Sequence, residues 1–162
     1  MKAVSGIMTS LSESGTIIWL VILLAIIFVF GAIYIYIKSK ERKKIERLKA
    51  LINNLPNLKV GEIIDIKDNN YKHIRGVFVV CNKSKNKYLV GKSVDIIKSV
   101  TNVLTGKGNM KAYLDYKDGD EFAINLLELK NSGYCNINEL ERDIITAYNA
   151  YKYGYNVYKG CK

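Results

Sequence analysis

The alternation of apolar and polar positions divides the chain into three zones. The first holds an uncharged apolar run from Ile17 to Ile37, IIWLVILLAIIFVFGAIYIYI. As a helix it reaches roughly 31 Å, enough to cross the hydrocarbon core of a bilayer. A secretory signal has a shorter apolar stretch and a small-residue cleavage site, whereas this run closes on Tyr34, Ile35, Tyr36 and Ile37. The pattern predicts one uncleaved transmembrane helix over 17–37, after a short N-terminal segment, 1–16. The second zone, 38–58, is charged, with apolar residues recurring at Ile45, Leu48, Ile52 and Leu55. Spacings of three and four predict a polar helix with one narrow apolar stripe, stopped by Asn53, Asn54 and Pro56. A solvated spacer is the expectation for it; packing against the domain and self-association are the alternatives.

The third zone, 59–162, alternates short apolar segments of both periods. GEIIDI at 61–66 reads as a short strand. IRGVFVVC at 74–81 and KYLVGK at 87–92 read as two strands joined by the turn NKSKN. From Ser93 the residues Ile96, Ile97, Val100, Val103 and Leu104 keep helical spacing, and TGKGN at 105–109 stops that helix. MKAYLDYK at 110–117 predicts a short helix or turn, and EFAINLLEL at 121–129 another strand. The last helix is expected over 137–150. Asn136 caps it, Glu139 follows three residues on, and Ile137, Leu140, Ile144, Ala147, Tyr148 and Tyr151 line one face. This order predicts an α+β domain, with a small, mostly antiparallel three-stranded sheet flanked by helices.

Charge adds direction. Half of the formal net charge of +10 lies in residues 1–58, almost all of it in Lys38, Lys40, Arg42, Lys43, Lys44, Arg47 and Lys49. By the positive-inside rule this basic flank places the C-terminal domain in the cytoplasm and the N-terminus outside. Residues 17–49 are thereby expected to contact membrane lipids, with the basic flank drawn to anionic headgroups. The other half of the charge is concentrated between Lys67 and Lys98, which makes the hairpin the expected electropositive face. Cys81, Cys135 and Cys161 are widely spaced, and with His73 as the single histidine they form no zinc pattern and no redox pair. GKGN at 106–109 lacks the lysine–serine pair of a phosphate-binding loop and reads as a helix terminator. The tail YKYGYNVYKGCK alternates aromatic and basic residues, suited equally to stacking on bases or to packing on the last helix.

Taken in order, GVF, a basic turn, YLVGKS, a helix, LTGKGN, AYLDYKDGDEF, NSGY, NELERD and AYNAYKYGYN resemble the GIY-YIG nuclease superfamily, over about Gly76 to Gly160. Members hydrolyse phosphodiesters with one divalent metal held by a glutamate on a helix, assisted by two hairpin tyrosines, a helix arginine and often a histidine. The resemblance puts the first tyrosine on Phe78, the second on Leu89, the arginine on Ser99 and the histidine on Val103. Tyr88 is adjacent to the second position but belongs to the opposite face of a strand. Lys98, beside Ser99, sits about 100° around the helix. The metal-binding glutamate is kept as Glu141, and a late asparagine as Asn156; an acidic residue in a first helical turn is the structural alternative for Glu141.

Loss of one such group costs orders of magnitude in rate, and groups that act as a unit fail together. The expectation is therefore a membrane-anchored domain that binds DNA or RNA through Lys83, Lys85, Lys87, Lys92, Lys98 and Asn156, with no cofactor required and with phosphodiesterase activity lost or strongly weakened. One alternative is an active endonuclease, dependent on Mg or Mn, with a site rebuilt around Glu141 from Tyr71, His73, Tyr113 or Tyr116. Another is a non-enzymatic protein-interaction module at the membrane.

Overall fold

A computed structural model describes the backbone of residues 2–68 and 73–160, and the side chains of 18–66 and 73–160. Tyr71, Lys67, Lys72 and Cys161 lie outside the described side chains. Two compact units divide at Lys43 and Lys44. The first belongs to α1 (Lys2–Asn53), whose apolar window has a mean hydropathy of 3.0 and is wholly exposed. This helix is long and apolar enough to cross a membrane.

The second unit contains the last turns of α1, then α2 (Val60–Asp68), β1 (Gly76–Asn82), β2 (Lys87–Ser93), α3 (Ile96–Leu104), α4 (Met110–Lys117), β3 (Phe122–Glu128) and α5 (Ile137–Ala147). The sheet is antiparallel in the order β2-β1-β3, so the hairpin places β2 at an edge. Phe78 and Val80 face one layer, which includes Ile63, Ile96, Ile97 and Val100. Val77 and Val79 face the other, with Leu140, Ile144 and Ile145 of α5. The period-two pattern of β1 thus feeds two cores at once, and β1 is buried along most of its length.

Three expectations change. GEIIDI is helical rather than extended: Val60, Ile63 and Ile66 recur every third residue, Ile63 is fully buried, and the Glu62 carboxylate accepts from the Lys59 N–H at 2.6 Å. The stripe in the basic segment is no solvated spacer, because Leu48 and Ile52 are buried against the core containing α5. The compact unit accordingly starts at Lys44 rather than Lys59. Lys44 adds ion pairs to Glu139 (2.9 Å) and Asp143 (2.7 Å), which hold its ammonium pKa well above the usual range. Finally, α5 stops at Ala147, and Tyr151 is exposed instead of completing its apolar face. Asn136 does cap the helix, accepting from the Asn138 N–H at 2.8 Å, while Glu139 turns outward to Lys44.

Both sheet edges are covered. Leu58 bridges to Ile124 beside β3, and Asn125 Nδ2 donates to the Pro56 carbonyl at 3.2 Å. On the β2 side, Tyr155 N–H donates to the Tyr88 carbonyl at 2.9 Å. The Asn156 amide then imitates a strand: Val90 N–H donates to its Oδ1, and its Nδ2 donates to the Val90 carbonyl, each at 2.8 Å.

Candidate functional site

Along the β2 edge, β1, α3, α5 and the tail enclose a cleft of about 430 Å³. Five positions that the sequence resemblance selects line it together: Phe78, Leu89, Ser99, Val103 and Glu141. Asn156 lines it too. Each arrives by simple geometry. Phe78 is the register partner of Gly91, and its ring fills the space a side chain there would need, since an added Cβ would lie 2.4 Å from Phe78 Cζ. Leu89 follows two residues before Gly91, on the same face. Ser99 and Val103 are four apart on α3 and so share one side of the helix. Tyr88 points to the other face, where its ring packs 4.7 Å from that of Tyr148.

Glu141 is not in the first turn of α5 but in the second, and it is 2% exposed. The helix-terminus explanation for its charge therefore lapses, because that effect fades beyond the first turn. Its counter-charge is Lys92, whose Nζ lies 3.0 Å from Glu141 Oε2 and donates to Asn138 Oδ1 at 2.8 Å. Oε2 makes this ion pair without a hydrogen bond of good geometry. The cleft thus combines apolar Phe78, Leu89 and Val103 with the uncharged polar Ser99 and Asn102 of α3, and has a largely buried ion pair on the α5 side.

This arrangement does not fit a divalent cation. Such an ion, held by one carboxylate and otherwise by water and phosphate, needs that carboxylate's charge. Here the Lys92 ammonium already takes it. The other selected positions, Phe78, Leu89, Ser99 and Val103, supply no anionic oxygen. Among the described residues there is no cluster of three or more His, Cys, Asp or Glu that could hold a metal.

Of the residues named for a rebuilt site, His73, Tyr113 and Tyr116 do not line the cleft. His73 Nδ1 lies 2.7 Å from Asp95 Oδ2, at the N-terminus of α3. Tyr116 stands edge-on to Phe122 with centroids 5.7 Å apart. Tyr113 packs over Gly106, where an added Cβ would lie 3.0 Å from its ring. Tyr71 lies outside the described residues.

The hairpin is not the free basic surface that its sequence suggests. Lys83 pairs with Glu121 at 2.6 Å, and Lys85 with Asp115 (2.8 Å) and Asp120 (2.9 Å). These carboxylates return after a long stretch of sequence, on α4 and just before β3, so the charge run alone conceals them. Hydrogen bonds to Lys85 hold the Asp115 and Asp120 carboxyls below their usual range, and Lys83 does the same for Glu121. Lys87 lies over the Tyr155 ring, 5.7 Å from its centroid. Buried beneath, Asn82 Nδ2 donates to Tyr155 Oη at 2.7 Å, and Tyr155 Oη donates to Asp115 Oδ2 at 2.6 Å. Lys98 is exposed on α3. The sequence reading missed Lys107, also exposed, which lines the cleft beside Asn102 and Gly108. Its signal was the helix-terminating turn that sets it four residues past Val103.

No family model matches the chain, and no curated protein does. Among solved structures it is similar to the catalytic domain of intron endonuclease I-TevI, in a mutant form. Identity is 23%, over 54% of this chain and 97% of that chain, with a TM-score of 0.42.

Proposed function

We propose that this chain is a membrane-anchored domain of GIY-YIG-like fold that binds nucleic acid without hydrolysing it. The observation that carries the loss of hydrolysis is the Lys92–Glu141 pair in the cleft. The carboxylate that would serve a metal is neutralised from within, while Phe78, Leu89 and Val103 supply no proton donor or base. Binding falls to Lys98 and Lys107, whose exposed ammonium groups stand outside the hairpin ion pairs and can neutralise phosphates without reading bases. The anchor is the apolar part of α1, and the basic flank from Lys38 to Lys49 orients the domain to the cytoplasm.

The test uses full-length chain in detergent, with plasmid and Mg or Mn, beside a Glu141→Gln variant. No cleavage is expected from either. Double-stranded DNA should be retained with a salt slope of about −2, as for two phosphate contacts, and less so after Lys98→Glu with Lys107→Glu. Cleavage that disappears with Glu141→Gln would establish an active nuclease instead. The ion-paired hairpin favours a second reading, a protein-interaction module. Absence of DNA and RNA binding at low salt would leave that reading in place of the first.

A further inference from the structure

We infer that the tail over residues 151–160, with Arg142, is a docking surface for anionic phospholipid headgroups; this rests on the reading of α1 as a membrane span. The tail leaves Tyr153 63%, Val157 79% and Tyr158 59% exposed, and Tyr151 is exposed beside them. Interleaved with these are the exposed cations Lys152 and Lys159. Among the described residues neither Lys152 nor Lys159 has a carboxylate partner, whereas Arg142 has one, its Nε lying 3.6 Å from Asp143 Oδ1. Tyrosine, with an apolar ring and a polar hydroxyl, partitions to the headgroup level of a bilayer, and lysines beside it are attracted by anionic lipids.

Position supports the same partner. Lys44, the first residue of the compact unit, is held by Glu139 and Asp143 on α5. The tail returns to that same stretch of helix: a Cβ added at Gly160 would lie 3.0 Å from the Arg142 Cα. The patch therefore ends where the chain enters the unit. Between Ile37 and Lys44 the chain can extend no more than about 25 Å. Stacking on nucleic acid is the competing use, but the ring faces are partly taken. Lys152 Nζ sits 4.9 Å from the Tyr153 centroid, and Lys159 Nζ 5.6 Å from that of Tyr151. A face already covered by a lysine is less open to a stacked base, whereas the exposed lysine charge beside an exposed ring suits an anionic headgroup.

The experiment is amide hydrogen exchange on full-length chain in nanodiscs of phosphatidylcholine alone or with phosphatidylserine. Amides of 151–159 are expected to exchange about tenfold more slowly with phosphatidylserine, and Lys152→Glu with Lys159→Glu should abolish the difference. Unchanged exchange at Val77 to Val80 reports that the variant is folded. Equal exchange in both lipids overturns the proposal, as does protection that appears only with single-stranded DNA. Release of the chain from the bilayer by alkaline carbonate would sink the span reading and the docking surface with it. Retention without lipid-dependent protection would sink the docking surface alone.

Discussion

Glu141 and Lys92 concentrate the chemistry of this domain into one contact, and their unequal exposure makes the contact testable. The glutamate side chain is 3% exposed and the lysine 26%. Removing the lysine strands a carboxylate in the protein, whereas removing the glutamate leaves an ammonium that can reach water along its flexible stem. In urea unfolding of fragment 44–162, Lys92→Met should therefore cost about 3 kcal/mol. Glu141→Gln should cost about 1 kcal/mol. The reverse order would mean that the pair is solvated. The positions around it were legible in the sequence because strand and helix periodicity fix which side chains share a face. Lys92 as the glutamate's partner was not, since it lies on the face of β2 opposite Leu89, and only the wrap of the cleft around the sheet edge joins them.

At the scale of elements, β1, β2, β3, α3 and α5 could be read from apolar spacing, and the misreadings have a common cause. In GEIIDI the isoleucines favour a strand by propensity, but burial selects every third residue and wins. The stripe of Leu48 and Ile52 was visible, while its partner, the Ile144 and Ile145 face of α5, lies far along the chain. Leu48→Ala or Ile52→Ala should each lower the stability of fragment 44–162 by about 2–4 kcal/mol, read from the urea midpoint. A cost near zero would return this segment to a solvated spacer. Tyrosines at the α5 side add a pH signature. Burial, with Asp143 as the next cause for Tyr134, pushes Tyr134 and Tyr148 up to about 12 from an ordinary value near 10. Above the unfolded value the unfolded chain loses these protons first, so the stabilisation present below about pH 10 is lost progressively as pH rises to about 12. The unfolding midpoint should fall across that window, and a Tyr134→Phe, Tyr148→Phe variant should flatten the decline.

Over the whole molecule, net charge misleads about where charge is available. The +10 is real, yet the turn richest in lysine is neutralised by carboxylates from α4 and the approach to β3, while the acid-free tail keeps its cations. Local sequence cannot show this, because ion pairing is decided by topology. The proposed anchoring and cytoplasmic orientation are tested at the same scale. Cys135 is exposed, so a thiol reagent that cannot cross membranes should leave it unlabelled in intact cells and label it after lysis. Labelling of intact cells would invert the topology. The Asn156 amide has a colloidal consequence as well. By occupying the Val90 amide and carbonyl it withholds from other copies of the chain the backbone template on which sheets grow. Asn156→Ala would leave that edge unsatisfied, and fragment 44–162 carrying it should pass from a monodisperse species to concentration-dependent oligomers in light scattering. Under the proposed anchoring, copies in the plane of a membrane would meet at high effective concentration, and one side-chain amide would then separate a dispersed population from a clustered one.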